Sequence, residues 1–379
     1  MPSFTASVTA TLSGSQFDVV DPPYLVGRFL ADLASERNLS NEVTAKVGAL
    51  WEALGKADGV TRPFLSVLLR TQGKRLEPFL DALLCLSAQT DQDFEVILLV
   101  HDAATDASAV IADAVKQQQS SFADRIHLVE VQGGSRGTPL NEGLRRARGQ
   151  FIAVYDDDDL LFANWVEEFH RSSSQSGGRL LRAVTAVQTL SPGTWPRVKE
   201  GFHTTNWPAP EHHAEFDLLE HFRVNQTPFM SFAFPSSIFS ELGLEFDEQL
   251  TVCEDWDMIL RSALLCGVQD VPALTAIYRL WTGGRSSYTD HSTAEWGSSE
   301  SRVLEKINSR PILLPPGSVE ILRSLMVDQE DYRRIVHSRG WKLSQPIMKS
   351  MLVAGRVRNA LRDARQRLRG RPTGKGRPR

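Results

Sequence analysis

Cysteine is scarce in this sequence. Three cysteines are spread over 379 residues, and they form neither a CxxC pair nor the closely spaced set of a small secreted domain. A disulfide scaffold and a zinc knuckle are therefore excluded, and a reducing cytoplasm is the compartment that fits best. We also expect no membrane span, because the uncharged stretch at 225–240 contains two prolines and is shorter than the roughly 20 apolar residues required.

The N-terminal segment has little positive charge. The first basic residue is Arg28, and the residues before it are rich in Ser and Thr. A secretory leader needs a basic start and a continuous apolar run, so we expect no export. With 41% hydrophobic and 23% charged residues, the composition excludes low complexity and predicts a soluble globular protein. The length allows two domains or one large domain with extensions.

Charge is distributed unevenly along the chain. From residue 349 onward eleven basic residues face a single acid, Asp363, which gives this tail a net charge of +10. Because the whole chain carries −4, the first 348 residues carry −14. Residues 347–368 repeat apolar side chains at steps of three and four, so we predict a basic amphipathic helix that contacts anionic membrane. A helix packed on the preceding domain is the alternative, and no nucleic acid is expected as a partner.

The order of hydrophobic patterns predicts an α/β fold. Residues 1–60 have apolar positions at helical spacing. From residue 62 short apolar runs alternate with helical runs, which predicts a mainly parallel sheet with helices on both faces. The predicted strands are 64–69, 94–100, 126–131, 151–155, 181–190 and 274–280, and the predicted helices are 77–88, 108–119, 140–147, 163–174, 236–242 and 254–265. Residues 191–227 are predicted to be a long irregular insertion, and the chain beyond 290 to be helical.

Four consecutive acids, Asp156, Asp157, Asp158 and Asp159, follow the predicted strand at 151–155. Open α/β sheets bind ligands at the carboxyl ends of their strands, where these carboxylates lie. Side chains alternate along an extended segment, so the first and third acids point one way and the other two point the opposite way. Two convergent carboxylates can hold a divalent cation, while a solvated acidic turn or a helix cap is the plainer alternative.

Two further segments carry candidate groups. The glycine-rich stretch at 133–137 precedes a helix and could bring backbone N–H groups to an anion, although it matches no phosphate-binding motif and an ordinary loop also explains it. Thr251 and Glu254 have the spacing of a capping box at a helix start, which accounts for Glu254 as a structural residue. Asp255 and Asp257 are not needed for that cap, so a carboxylate here is a candidate general base.

Taken in order, four segments resemble the family 2 glycosyltransferases of GT-A fold. They are LSVLL at 65–69, FEVILLVHD at 94–102, the pattern NxGxxxAxGxFIAVxDxDD at 141–159, and FDEQL at 246–250 followed by the acid pair at 254–255. The resemblance covers residues 62–282. It implies a Rossmann-like mixed, mainly parallel sheet and an enzyme that transfers a sugar from a nucleotide sugar to an acceptor hydroxyl with inversion, assisted by Mg²⁺ or Mn²⁺.

The resemblance also implies roles for single residues. Asp156 and Asp158 take the places of the DxD acids that contact the metal and the diphosphate. Asp255 matches the acid of the ED pair that serves as catalytic base. The residues expected to contact the nucleotide sugar are Thr71, Asp102, Arg136, Asp156 and Asp157. The secondary candidates are Glu254, Asp159 and Trp256.

The sequence departs from the family pattern at three points. VHDAATD at 100–106 has lost one acid and the glycine of the usual pattern, which leaves the nucleotide base undefined. Arg70 stands before Thr71 where the family usually has proline. Near residues 278–281, the sequence lacks a histidine that is common in relatives.

We therefore expect three regions: a helical extension at 1–60, a GT-A glycosyltransferase domain at 61–290 and a C-terminal helical region at 291–379 that ends in a basic tail. The expected partners are a nucleotide-sugar donor and a glycan or lipid-linked acceptor, in the synthesis of cell-surface polysaccharide or other glycans. Two alternatives stay open, a sugar nucleotidyltransferase and a non-catalytic scaffold that binds nucleotide or glycan. The expected location is the cytoplasm, with the basic tail as a peripheral contact on the inner membrane face.

Overall fold

A computed structural model of the protein describes residues 62–193, 201–211, 213–282, 290–314 and 316–344, together with a few separate positions before residue 62. The predicted helical extension at 1–60 lies almost wholly outside these residues, and the basic segment from residue 345 to the end lies outside them entirely. The chain divides into two compact units, Met1–Leu313 and Leu314–Arg379. The division into three regions therefore stays a prediction.

The strands of the first unit form one nine-stranded sheet. They are β1 (Leu65–Thr71), β2 (Phe94–His101), β3 (Ile126–Val131), β4 (Phe151–Asp156), β5 (Leu160–Leu161), β6 (Leu180–Pro192), β7 (Phe202–Thr204), β8 (Phe232–Pro235) and β9 (Val268–Trp281). The helices of this unit are α1 (Leu76–Ser87), α2 (Thr105–Lys116), α3 (Ser120–Ala123), α4 (Gly137–Leu144), α5 (Trp165–Ser173), α6 (Leu218–Arg223), α7 (Ser237–Ser240), α8 (Glu254–Cys266) and α9 (Thr293–Asn308).

The sheet has the strand order β3-β2-β1-β4-β8-β6-β9-β5, and β7 pairs with β6. The long pairings are parallel: β1 with β2 and β4, β2 with β3, and β6 with β9. The parallel direction brings the carboxyl ends of β1, β2 and β4 to one edge of the sheet, at Thr71, His101 and Asp156. In the register of β1 and β4, Arg70 lies opposite Asp156. This register places a basic and an acidic side chain side by side at the ligand-binding edge.

The core lies on both faces of the sheet. Every residue of β1 and β2 is buried, as expected for parallel strands covered by helices on two sides. One hydrophobic cluster packs Phe79 of α1 and Trp165 of α5 against one face. A second cluster packs Leu140 of α4 and Ile259 of α8 against the other face. The helices on the second face begin at the carboxyl edge, so their first residues border the site.

Two residues of the pattern at 141–159 have structural roles. Gly149 lies where the chain enters β4, and a Cβ added there would stand 2.5 Å from the backbone nitrogen of Ser66, so only glycine fits. Asn141 is buried on α4, accepts the N–H of Phe246 at 2.8 Å and donates to its carbonyl oxygen at 3.1 Å. These bonds tie the segment 246–250 to α4, which explains why the two motifs occur together.

Most predicted strands and helices are confirmed, with ends shifted by a few residues. The prediction of an irregular insertion at 191–227 is wrong in part, because β7 and α6 lie inside it. β7 has only three residues, too few for an alternating pattern to identify, and it pairs with the end of β6, the strand before it in the chain. The last strand is longer than predicted, since β9 begins at Val268 and pairs with β6 from Leu180 to Leu190, with irregularities near Val184.

The second unit is described through α10 (Ser318–His337). Several of its apolar side chains are exposed, among them Ile321, Leu325 and Tyr332. Throughout the part of the chain that the structure describes, each helix falls short of the length and apolar content that crossing a membrane requires.

Candidate active site

A cleft of about 410 Å³ opens at the carboxyl edge of the sheet. The ends of β1, β4 and β9, the start of α8 and the segment at 223–230 form its walls. Its charged lining residues are Arg70, Arg136, Asp156, Asp158, Asp159, Arg223, Glu254, Asp255, Arg279 and Glu300. Three tryptophans also line it, Trp256, Trp281 and Trp296. Apolar walls with a few convergent charged groups are typical of a ligand-binding site.

The acidic turn after β4 has two faces. Asp156 and Asp158 are partly exposed beside the cleft. Asp157 and Asp159 are buried, so the alternation predicted from the sequence is confirmed. The hydroxyl of Thr71 donates to Asp157, and a backbone N–H of β9 donates to Asp159 at 2.8 Å. Burial, together with the charge of Asp158, raises the pKa of Asp157 to about 7 and that of Asp159 well above its usual value.

Arg70, near the end of β1, joins the two acidic motifs. Its Nε and Nη2 donate to the two carboxylate oxygens of Asp156 at 2.8 and 3.0 Å. Its Nη1 donates to Glu254 Oε1 at 2.9 Å and to the carbonyl oxygen of Arg136 at 3.1 Å. Burial alone would lower the pKa of this guanidinium, but the carboxylates of Asp156 and Glu254 outweigh it and raise the pKa. Arg70 is therefore charged and held from two sides.

Arg75 holds the other exposed acid of the turn. Its Nη2 donates to Asp158 Oδ2 at 2.7 Å, and its guanidinium carbon lies 5.1 Å from the ring centroid of Trp281. Arg279 on β9 also reaches the turn, with Nε donating to the Asp158 carbonyl oxygen at 2.7 Å. Burial would lower the pKa of Arg75, but Asp158 and Asp157 raise it. The two partly exposed acids of the turn, Asp156 and Asp158, are thus each paired with an arginine.

Glu254 is the first residue of α8, and the predicted capping box is wrong. The N-cap is Cys253, with a left-handed φ of 66°, while the Thr251 hydroxyl bonds to a serine of α9. Glu254 Oε1 instead accepts Nε of Arg136 at 2.7 Å and Nη1 of Arg70 at 2.9 Å. Burial would raise the pKa of Glu254, but these guanidinium groups outweigh it and lower the pKa to about 2. The Glu254 carboxylate is therefore paired with two arginines that are distant in sequence and does not take part in a local helix cap.

Asp255 lies beside Glu254 and lines the cleft. Its Oδ2 accepts from Asn225 Nδ2 at 2.8 Å, and its Oδ1 accepts from the N–H of Trp256 at 2.8 Å. Burial and the negative charge of Glu254 raise the pKa of Asp255 to about 6. A carboxylate with this pKa is ionised at neutral pH and still accepts a proton readily, which suits a general base.

Three of the predicted nucleotide contacts, Thr71, Asp102 and Asp157, lie beside the lining rather than in it. Thr71 is buried under the acidic turn, where its hydroxyl supports both Asp157 and the N–H of Gly73. Asp102 follows β2 with a left-handed φ of 50°, and its Oδ1 accepts the N–H of Gly133 at 2.6 Å. This bond holds the glycine-rich loop at 133–137. The end of the loop, in contrast, contributes the side chain of Arg136 to the cleft.

The carboxylates of the turn do not fit a divalent-cation site as they stand. Mg²⁺ and Mn²⁺ bind through carboxylate oxygens, but both oxygens of Asp156 accept hydrogen bonds from Arg70, and Oδ2 of Asp158 accepts one from Arg75. Within the described ranges, no group of three or more His, Cys, Asp or Glu side chains is arranged to hold a metal ion. The assignment of Asp156 and Asp158 as metal ligands stays a prediction that this donor set does not favour.

Comparison with known proteins adds to this geometry. Residues 70–230 match the model of the family Glycosyl transferase family 2. An uncharacterized glycosyltransferase of Rickettsia typhi is 21% identical over 238 residues, which are 61% of this chain and 69% of that relative. Glycosyltransferase GlyG of Streptococcus pneumoniae is 35% identical over 83 residues, 22% of this chain and 26% of GlyG. The crystal structure of S. aureus TarS 1–349 in complex with UDP-GlcNAc is 14% identical, with a TM-score of 0.47, and the match covers 64% of this chain and 71% of that chain.

The fold, the site and the matched domain define a class of enzyme. A mixed sheet with parallel β1, β2 and β4, an acidic turn after β4 and an acid pair at the start of α8 are combined in one chain. Residues 70–230 match the glycosyltransferase family 2 model, and the chain is a glycosyltransferase. The enzyme class and the mixed, mainly parallel α/β sheet that the sequence predicts are confirmed, and the match to the predicted family extends over residues 70–230.

Sequence reasoning missed several residues of the cleft. Arg70 is marked in the sequence only as a departure from the family pattern, and the prediction leaves out Arg75, Arg279 and Asn225. The signal for Arg70 is its position next to the mainly apolar run at 65–69, in a strand predicted to be buried. A charged side chain is costly to bury unless it is paired, so a partner should be expected there. Asn225 lies in the segment predicted to be irregular, where the sequence pattern carries no such signal.

Proposed function

We propose that this glycosyltransferase moves a sugar from a nucleoside-diphosphate sugar to an acceptor hydroxyl, with inversion at the anomeric carbon. The observation that carries the proposal is Asp255, a carboxylate on the cleft wall that Asn225 orients and that lies next to the acid–arginine network. The acceptor oxygen attacks the anomeric carbon, and its proton goes to Asp255. The electron pair of the breaking bond leaves on the diphosphate oxygen, so a single displacement inverts the centre.

The contrast between the adjacent acids supports Asp255 as the base. Burial would raise the pKa of Glu254, but two arginines outweigh it and lower the pKa to about 2, so this carboxylate binds protons weakly. The pKa of Asp255 is raised to about 6, close to the pH at which a base works efficiently. Environments that push neighbouring carboxyl groups apart in pKa are a common basis for dividing catalytic and structural roles.

Positive charge in the cleft supports binding of the diphosphate. The guanidinium groups of Arg70, Arg136 and Arg279 line the cleft and can donate charge-assisted hydrogen bonds to phosphate oxygens. The ring of Trp296, which is partly exposed on the cleft wall, offers a flat apolar surface for a sugar or a nucleotide base.

The remaining predicted nucleotide contacts support the cleft through hydrogen bonds within the protein. Thr71 and Asp157 hold the acidic turn, while Asp102 holds the glycine-rich loop at 133–137, whose Arg136 lines the cleft. Fixed supporting hydrogen bonds keep the groups that touch the donor in their reactive positions.

The acceptor that we propose is a glycan or a lipid-linked glycan, extended at the cytoplasmic membrane face during polysaccharide synthesis. The net charge of +10 after residue 348 supports this location, because basic segments are attracted to anionic lipid surfaces. The Mg²⁺ or Mn²⁺ implied by the family resemblance has no part in these steps, since arginines hold both of its predicted ligands, Asp156 and Asp158.

A donor panel tests the proposal. The full chain is incubated with UDP-, GDP- and TDP-sugars, UDP-GlcNAc among them, with lipid-linked acceptors and with water alone, and release of nucleoside diphosphate is measured. Release above background from at least one donor supports transfer. Binding of a nucleotide sugar without release would favour the scaffold, and formation of a nucleotide sugar from a sugar phosphate and a nucleoside triphosphate would favour the nucleotidyltransferase.

A further inference from the structure

Arg70 lies where, on the proposed function, the departing diphosphate needs positive charge. The register of β1 and β4 places it directly opposite Asp156, the first acid of the turn. Strands of a sheet are separated by about 4.8 Å, so the strand pairing itself delivers the guanidinium to this carboxylate. The pairing of Arg70 with Asp156 therefore follows from the register of the two strands.

The hydrogen bonds of Arg70 account for nearly all of its donors. A guanidinium group has five N–H donors in a fixed plane. Four of them have partners: both oxygens of Asp156, Oε1 of Glu254 and the carbonyl oxygen of Arg136. Counting partners among the described residues, one N–H on Nη2 remains, and Arg70 borders the cleft. That donor is available to an oxygen atom of a ligand.

A divalent cation on Asp156 would compete with this arrangement. The ion would bind oxygens that already accept from Arg70 and would place two positive charges side by side. Arg70 cannot move away at low cost, because its side chain is 9% exposed and its departure would remove a partner from Glu254, which is 3% exposed. Arg70 is therefore a resident cation of the site.

We propose that Arg70 takes the place of the divalent cation. This inference rests on the proposed function. Asp156 is the counter-ion that orients the guanidinium, and Arg70 offers its remaining N–H and its charge to the leaving diphosphate. The donor bond between the anomeric carbon and the diphosphate oxygen breaks, its electron pair stays on that oxygen beside Arg70, and the acceptor proton goes to Asp255. Arg75 performs the matching task for Asp158, and transfer needs no divalent metal.

Metal dependence of turnover is the first test. The full chain is dialysed against EDTA and assayed in excess EDTA, then with added Mn²⁺ or Mg²⁺. The expected result is the same kcat in all three conditions. Arg70→Met is expected to lower kcat by ~10²–10³-fold, as removal of one electrostatic donor does in other enzymes, and Arg70→Lys by less. Arg146→Met, a surface arginine paired with Glu142, is the control with unchanged kcat. Loss of wild-type turnover in EDTA, restored by Mn²⁺ or Mg²⁺, would overturn the proposal.

Binding of Mn²⁺ is the second test and does not need turnover. Electron paramagnetic resonance of Mn²⁺ titrated into the wild-type chain is expected to show only the free ion. A stoichiometric Mn²⁺ site that disappears in Asp158→Asn would overturn the proposal even if no donor is ever turned over. Failure of every donor in the panel, by contrast, would count against the proposed function alone. Thermal melting confirms that each variant is folded. If Arg70→Met does not fold, Arg70→Lys is used in its place.

Discussion

Arg70 and Asp156 are register partners on adjacent parallel strands, and two N–H groups of Arg70 hold both carboxylate oxygens of Asp156. The same guanidinium reaches Glu254, 184 residues further along the chain. One side chain thus fixes the acidic turn after β4 relative to the start of α8, where Asp255 lies. The geometry of the cleft depends on this connection between two motifs that are far apart in sequence.

Asp255→Asn is expected to keep the fold and donor binding and to lower kcat by ~10²–10⁴-fold, the usual effect of removing a general base. The amide preserves the size of the side chain, and its one oxygen can accept from either Asn225 or the N–H of Trp256. Release of nucleoside diphosphate measures kcat, and calorimetry measures donor affinity. Asp113→Asn, an exposed acid of α2 paired with Lys116, is the matched control. Equal turnover of Asp255→Asn and wild type would contradict the role of Asp255.

The pH profile should report the ionisation of Asp255. Because the base must be deprotonated and its pKa is raised to about 6, kcat/KM should rise with pH below about 6 and level off above it. Asn225→Ala removes a hydrogen bond to the charged carboxylate, so the pKa of Asp255 should increase further and the profile should move to higher pH. Gln175→Ala, an exposed residue in the turn after α5, should leave the profile in place. An unshifted profile for Asn225→Ala would show that this bond does not tune the base.

Glu254→Gln should lower the free energy of unfolding by about 3–5 kcal/mol, because it leaves the charges of Arg70 and Arg136 in a buried site without their shared carboxylate. Urea unfolding measures the change. Glu142→Gln breaks a surface pair with Arg146 and should cost less than about 1 kcal/mol.

The dependence of stability on pH should also report the ionisation of Glu254. Folding lowers the pKa of Glu254 from 4.5 to about 2, so its contribution to stability is complete above pH 4.5 and is lost as the pH falls toward 2. Glu254→Gln should lack this part of the acid dependence. Identical pH dependence of unfolding in wild type and variant would contradict the pairing of Glu254 with the two arginines.

Asn141→Ala should lower the free energy of unfolding by about 1–3 kcal/mol, because the backbone N–H and carbonyl of Phe246 lose buried partners. The segment 246–250 leads into α8, so donor affinity should fall as well. Thermal and urea unfolding measure the stability, and Asn308→Ala at the exposed end of α9 is the control. A variant as stable as wild type would show that the segment is held by other contacts.

The sequence predicts the parallel half of the sheet well because its signals are local. Continuous apolar runs bounded by turns identify β1, β2 and β4, and the period of two correctly separates the exposed Asp156 and Asp158 from their buried neighbours. The carboxyl edge as the place of the site follows from the order of these strands.

The errors arise where partners are far apart in sequence. The spacing of Thr251 and Glu254 satisfies the local rule for a capping box. The Glu254 carboxylate instead accepts hydrogen bonds from Arg70 and Arg136. Two guanidinium groups stabilise a buried carboxylate more than one backbone N–H does. The same limit hides Asn225, which the fold brings to Asp255. β7 is missed for another reason, because three residues are too few to form a recognisable pattern.

The stereochemistry of the first turnovers tests the central claim most directly. Proton NMR of the reaction with an active α-linked donor identifies the anomeric configuration of the product before it can equilibrate. Deprotonation of the acceptor by Asp255 and a single displacement predict a β-linked product. An α-linked product would contradict the single displacement and, with it, the assignment of Asp255 as the base.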